Sequence, residues 1–249
     1  MYDHDRSVLD DYGCRILYED NHIIAALKPA GILSQSDGSG KPDMLTLIKD
    51  HIRIKYEKKG NVFLGLVHRL DLPVSGVMVF ARTSKAASRL SAQIRERRFV
   101  KKYLAVVYGR MTPQSGELRN RLLKDERNIV REDISGKDAI LRYDQLAYDP
   151  STGNSLVDIM LETGRSHQIR VQFALAGHPL IGDLKYGRTD GRHHSHISEP
   201  ALFAYLAGFE HPVTGVHLEI RAYPDNKIFT DGFGDLSELA DKDGERSNR

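Results

Sequence analysis

The chain has 249 residues, 40% of them hydrophobic, enough to bury a core as one large domain or two lobes. A single cysteine, Cys14, excludes an internal disulfide and a thiolate metal cage, and no apolar run approaches the ~20 residues of a membrane span. The net charge is only +2, yet residues 82–102 carry eight basic side chains (Arg82, Lys85, Arg89, Arg95, Arg97, Arg98, Lys101, Lys102) against Glu96 alone, a local excess that suits either a phosphate-facing surface or a solvated helix face.

In chain order, residues 1–15 lack apolar periodicity and are expected to form a flexible arm. The opening Met1-Tyr2-Asp3-His4-Asp5-Arg6 has no secretory-signal layout, which places the chain in the cytoplasm. Ile16–Tyr18 and Ile23–Leu27 flank a turn-forming Asp20-Asn21 and predict a hairpin. Lys28-Pro29-Ala30-Gly31 ends its second strand, and Ser34–Pro42 reads as a flexible surface loop, since its glycines lack phosphate-loop spacing. Asp43 is a candidate cap for a helix with Met44, Leu45, Ile48 and Ile52 inward.

Two apolar runs, Val62–Val67 and Val77–Ala81, predict buried strands on either side of His68-Arg69-Leu70-Asp71-Leu72-Pro73-Val74-Ser75-Gly76. That loop would hold a carboxylate and two potentially cationic side chains on a rigid scaffold, the usual setting for chemistry. Ser84 is expected to cap a helix through Arg95, with Ala87, Leu90 and Ile94 inward, and Tyr103–Tyr108 alternates as a strand. Signals over 117–150 are weaker, best at Ala139–Tyr143, before a turn at Asp149–Asn154 and a strand carrying Val157, Ile159 and Leu161. Gly164 then breaks the strand, Ser166 can cap a helix with Ile169, Phe173 and Ala176 inward, and Gly177 stops it. Leu202–Phe209 and Val216–Ala222 predict a last hairpin. The acidic tail 231–249 is expected to be disordered, leaving 16–230 as the folded domain. Strands mixed with a few helices give an α+β class.

Three separated residues are candidates to meet at one site: Asp71, Tyr103 and Arg170. Taken singly, each has an ordinary structural explanation. A serine-hydrolase elbow is absent because Val74-Ser75-Gly76 lacks the preceding glycine, and His193, His194 and His196 lack metal-ligand spacing.

Four ordered motifs carry a resemblance: His68-Arg69-Leu70-Asp71 with Ser75-Gly76, then Lys101-Lys102-Tyr103-Leu104-Ala105, then Gly164-Arg165-Ser166-His167-Gln168-Ile169-Arg170, and Gly182-Asp183-Leu184-Lys185-Tyr186-Gly187. Together they resemble the RluA-like family of RNA pseudouridine synthases from about Ile16 to about Tyr223. The resemblance implies an α+β fold with a mixed, largely antiparallel sheet and a catalytic cleft. It implies an isomerase that breaks a uridine's glycosidic bond, turns the uracil and rejoins it through carbon. Asp71 would be the essential carboxylate, either attacking the sugar or removing a sugar proton. Tyr103 would stack on the target base, Arg170 would pair with the aspartate, and Arg69 would fill the gap left in the RNA. His68, Lys101, Lys102, Arg165, His167 and Gln168 are expected to face substrate.

Such an enzyme must extrude its target from the helix and replace lost stacking. The reaction consumes neither electrons nor water, so neither cofactor nor metal is implied. The expected partner is ribosomal or transfer RNA, with no membrane and no obligate protein partner, and the expected state is a monomer. Val74 stands where the family often has threonine, and Phe203 where it often has histidine. Too few residues precede Ile16 for the small RNA-binding domain of many relatives, so target choice is expected to rest on the catalytic domain's own basic surface.

Overall fold

The computed structural model describes residues 8–187 and 199–240. The chain divides into two compact units, one of residues 1–99 and 206–222, the other of residues 100–205 and 223–249.

In the first unit, β1 (Arg15–Glu19) and β2 (Ile23–Lys28) form the expected antiparallel hairpin, and β2 continues antiparallel onto β4 (Ser75–Ala81) from Ile23↔Ala81 to Lys28↔Gly76. α1 (Met44–Lys55) starts at Asp43, whose carboxylate accepts the Thr46 N–H at 3.0 Å. Its buried side chains are Met44, Leu47, Ile48 and Ile52, so Leu47 faces inward where Leu45 was expected. α2 (Ser84–Arg95) is capped by Thr83 rather than Ser84, and buries Ala86, Leu90 and Gln93 in place of Ala87 and Ile94. One residue of phase accounts for both changes: the Thr83 hydroxyl reaches the Ala86 N–H, and the Gln93 amide exchanges hydrogen bonds with the Glu210 backbone.

The apolar run before the Asp71 loop is not a full strand. Only β3 (Gly65–Leu66) pairs with β4. Beyond it, the Val79 N–H is taken by the His68 Nε2 at 3.0 Å, so a side chain ends the ladder. The N-terminal arm is partly anchored as well. Asp10–Tyr12 form a 3-10 turn between Leu9 and Cys14, both 2% exposed, because two apolar side chains suffice to pin so short a segment.

The second unit is built on antiparallel ladders in the order β5 (Val100–Tyr108), β9 (Asn154–Leu161), β8 (Lys137–Asp149), β6 (Ser115–Lys124), β7 (Val130–Glu132). α3 (Gln168–Leu175) packs on this sheet. Phe173 is fully buried and meets Tyr143 edge-on at 5.9 Å, a burial contributing about 1.5–3 kcal/mol. Gln172, also on α3, donates to the carbonyls of Leu118 and Ala139. β10 (Leu202–Glu210) begins in this unit and ends in the first, where it pairs antiparallel with β11 (His217–Arg221). After α4 (Lys227–Thr230), residues 236–240 are helical and bury Leu236 and Ala240. Asp235 caps that turn through the Ser237 N–H, so the stretch to Ala240 is ordered where a disordered tail was expected. The class is α+β with a largely antiparallel mixed sheet, as the sequence implies.

Candidate active site

The Asp71 loop lies in the first unit, and its backbone is held by buried side chains. Lys28, 0% exposed at the end of β2, donates its ammonium to the carbonyls of Pro29, Leu72 and Val74 at 3.0, 3.1 and 2.8 Å. Ser34, also buried, donates its hydroxyl to the Leu70 carbonyl at 2.7 Å and accepts the Leu70 N–H at 3.1 Å. The Gly31 N–H reaches the Leu72 carbonyl, and the Val74 N–H closes a turn onto the Asp71 carbonyl. An irregular loop cannot satisfy its own peptide groups, so it keeps one shape only where such outside partners exist. Leu70 and Val74 point inward at 7% and 2% exposure, leaving Asp71 half-buried between them and Arg69 exposed. His68 accepts from Val79, and its ring lies 5.5 Å from Phe99, itself stacked on Phe209 at 5.1 Å. This histidine therefore anchors the loop through its Nε2.

Arg170 lies in the second unit, buried on α3. Its Nε and Nη2 donate to both oxygens of Asp183 at 2.7 Å each, and its guanidinium sits 5.2 Å from the Tyr186 ring centroid. Burial works to raise the Asp183 pKa, but the Arg170 guanidinium and the N–H groups of Tyr186 and Lys185 hold it below the usual carboxylate range. The segment carrying Asp183 is itself docked on β5. The Ile181 N–H bonds the Val106 carbonyl at 2.9 Å, and the Tyr108 N–H bonds that of Pro179 at 3.0 Å. The Tyr186 hydroxyl accepts the Val130 N–H at 2.9 Å and shares a hydrogen bond with the His167 Nδ1, 2.6 Å away. A Cβ at Gly187 would overlap the Asp183 carbonyl oxygen, which explains the glycine closing this motif.

The turn into α3 departs from the expected Ser166 cap. His167 occupies the N-cap with φ 52°, a left-handed conformation, and makes no side-chain cap. Gln168 does the bracing: its Oε1 accepts from the Thr163 hydroxyl at 2.8 Å and the Arg165 N–H at 3.0 Å, and its Nε2 donates to Ile140. At 3% exposure it is a scaffold residue, which corrects the RNA-facing role expected for it. Arg165 is exposed and donates through Nε to the Asp138 carbonyl. On β5, Tyr103 is buried at 6%, and Lys102 pairs with Asp158 at 2.9 Å.

The basic cluster offers less free charge than its count suggests. Arg82 pairs with Glu19, Arg98 with Glu96 and Glu210, and Arg89 bonds the Pro212 carbonyl, while Lys85, Arg95 and Arg97 are exposed. His193, His194 and His196 lie outside the described residues. Lys28, Ser34, Asp183 and Tyr186 had no assigned role in the sequence. The one signal for Lys28 is a lysine closing an otherwise apolar strand.

The family profile described as RNA pseudouridylate synthase matches residues 22–175. The chain is 34% identical over 212 residues to an RNA pseudouridine synthase of Bacillus subtilis, covering 84% of this chain and 68% of that protein. It is 32% identical to ribosomal large subunit pseudouridine synthase D of Zymomonas mobilis, covering 85% and 69%. It is also 32% identical to dual-specificity RNA pseudouridine synthase RluA of Haemophilus influenzae, covering 84% and 93%. Among solved structures, human RNA pseudouridylate synthase domain containing 1 superposes with a TM-score of 0.72 at 20% identity, over 96% of both chains. Human RNA pseudouridylate synthase domain containing 4 gives 0.70 at 21% identity, over 85% of this chain and 89% of that one. No helix among the described residues is long and apolar enough to cross a membrane.

Proposed function

The chain belongs to the RNA pseudouridine synthase family and is an isomerase, and from that premise we propose that Asp71 is the carboxylate on which the reaction depends, acting on a uridine flipped out of structured RNA. The observation that carries this reading is the way the chain holds the Asp71 loop. Two buried side chains, Lys28 and Ser34, fix its backbone while Asp71, between the packed Leu70 and Val74, stays half-buried. Preorganisation of this kind suits a group that must meet a reacting atom within a fraction of an ångström.

In the proposed reaction, Tyr103 stacks against the target uracil and Arg170 supplies the positive charge that favours the ionised form of the carboxylate. The exposed Arg69 enters the gap left in the RNA, and stacking contacts of this type contribute ~1–3 kcal/mol each. Breaking the C–N bond frees the uracil, which turns within the site and closes a C–C bond to the same sugar carbon. Large-subunit ribosomal RNA is the first substrate to test, since relatives carry that substrate in their names, and such a substrate places the reaction in the cytoplasm. Transfer RNA is the second.

The test uses RNA labelled with tritium at uridine C5. Wild-type protein should release label, and Asp71→Asn should abolish release while retaining RNA on a filter. Full release by that variant would refute the assignment of Asp71, and free uracil in place of an isomerised nucleotide would refute the isomerase reading.

A further inference from the structure

The two neighbouring lysines of β5 are differently employed. Lys102 is neutralised by Asp158 on the adjacent strand at 2.9 Å. Lys101 points to the opposite face, shared with Tyr103 two residues on. It is half-buried and, among the described residues, makes no hydrogen bond and no ion pair. Its Nζ lies against the loop between β9 and α3, 3.2 Å from where a Cβ on Gly164 would stand. Burial pushes the ammonium below the usual lysine range, with no counter-charge acting against it.

A cation that has lost water without gaining a carboxylate is costly, and proteins ordinarily pair such groups. Resting on the RNA-modifying reading above, we propose that Lys101 is an anion-binding residue that receives a phosphodiester of the RNA substrate, at a position bounded by Gly164 and one strand step from Tyr103. Two residues along a strand span about 7 Å, comparable to the reach from a nucleobase to the phosphate of its own nucleotide. Because the ammonium is already stripped of much of its water, little further desolvation opposes the contact, and the missing ion pair is completed when RNA arrives.

The same geometry says what the contact does not do. Lys101 reads no base and would contribute equally at any sequence, so its loss should weaken RNA binding uniformly. The glycine at 164 leaves room for the approach: a side chain there would crowd the ammonium.

The experiment measures retention of a labelled ribosomal RNA transcript by the full chain across a salt series, for Lys101→Met, Lys101→Arg and Lys102→Met, with thermal unfolding of each. Lys101→Met should bind about tenfold more weakly and lower the slope of log affinity against log salt by about 1, while Lys101→Arg retains most of both. Its Tm should equal or exceed that of wild type, because a half-buried charge with no ion pair among the described residues has been removed. Lys102→Met should lower Tm by stranding Asp158. Unchanged affinity and slope in Lys101→Met would overturn the proposal, as would a binding loss accompanied by a fall in Tm. Tritium release by wild type is scored separately. RNA retention without release would overturn the isomerase reading while leaving the Lys101 contact intact.

Discussion

Arg170 and Asp183 meet side by side, two N–H donors on two carboxylate oxygens at 2.7 Å each, with the side chains only 6% and 1% exposed. Arg170 is on α3 and Asp183 lies beyond its end, 13 positions on, in a loop fixed independently by its bonds to β5. Breaking one partner of so buried a pair costs about 3–5 kcal/mol, because the survivor stays charged without compensation. Asp183→Asn should therefore destabilise the protein by about 3 kcal/mol in urea unfolding and reduce label release through misplacement of Arg170. The double variant Arg170→Met/Asp183→Leu should recover most of the stability and none of the activity, since an apolar pair can fill the same volume.

The same pair sets an acid limit. The folded pKa of Asp183 is depressed below its ordinary 3.8, so its stabilising contribution is complete above 3.8 and is lost as pH falls through the lower folded value. Unfolding free energy measured below about pH 4 should drop more steeply in wild type than in Asp183→Asn, which has no such group to protonate. Parallel curves for the two proteins would show that other carboxylates set the acid limit.

Lys28 acts on Asp71 at one remove. Its ammonium binds the carbonyls of Leu72 and Val74, the residues that follow Asp71 in the turn. Lys28→Met strips the Val74 carbonyl of this donor and leaves the Leu72 carbonyl with the Gly31 N–H alone, a cost of about 2 kcal/mol, and lets the turn drift. A displacement near 1 Å at a reacting group costs about 100-fold in rate. Label release should fall by roughly that factor, with RNA retention unchanged, because Lys28 is fully buried and touches no solvent. Ser34→Ala removes the acceptor of the Leu70 N–H and should cost about 1–3 kcal/mol, with a smaller loss of rate.

How far the sequence foretold this depends on where polar groups point. The β1–β2 hairpin and the Asp43 cap were legible because apolar alternation and an N-cap oxygen act locally. Of the thirteen residues of β8 only Ala139–Tyr143 were, since Lys137 and Asp138 before them are exposed on opposite faces and Gln145–Tyr148 after them are uniformly half-buried, which hides the strand's period. In α3 the expected Ile169 and Phe173 do face inward, Ala176 is exposed beyond the helix end, and the polar buried positions escaped the pattern. Gln168, Arg170 and Gln172 are buried beside Ile169, Val171 and Phe173, each satisfied by partners far away in sequence. Asp71, Arg170 and Tyr103 were legible as motif residues. Lys28 and Ser34 were not, because their worth lies in carbonyls and N–H groups some forty positions on.

Gly187 admits no side chain. A Cβ there would overlap the Asp183 carbonyl oxygen, a backbone atom that cannot swing away as a flexible side chain could. Overpacking of this type costs typically 1–3 kcal/mol, and relief requires the Asp183 loop to shift against β5. Gly187→Ala should lose about 3 kcal/mol and impair label release in parallel with Asp183→Asn. A variant as stable and active as wild type would mean that the loop yields without disturbing Arg170.

His167 pits strain against a contact. Its φ of 52° is a conformation that costs a residue bearing a side chain about 1–2 kcal/mol relative to the right-handed region, while its bond with the Tyr186 hydroxyl returns about 0.5–1.5 kcal/mol. The two nearly cancel, so stability alone gives no reason for histidine at this position. Asn tolerates the left-handed region better, and His167→Asn should change the unfolding free energy by less than about 1 kcal/mol. Any fall in RNA retention or label release in that variant then reports what the imidazole does for substrate. Unaltered binding and rate would reduce His167 to a turn residue whose ring merely rests against Tyr186.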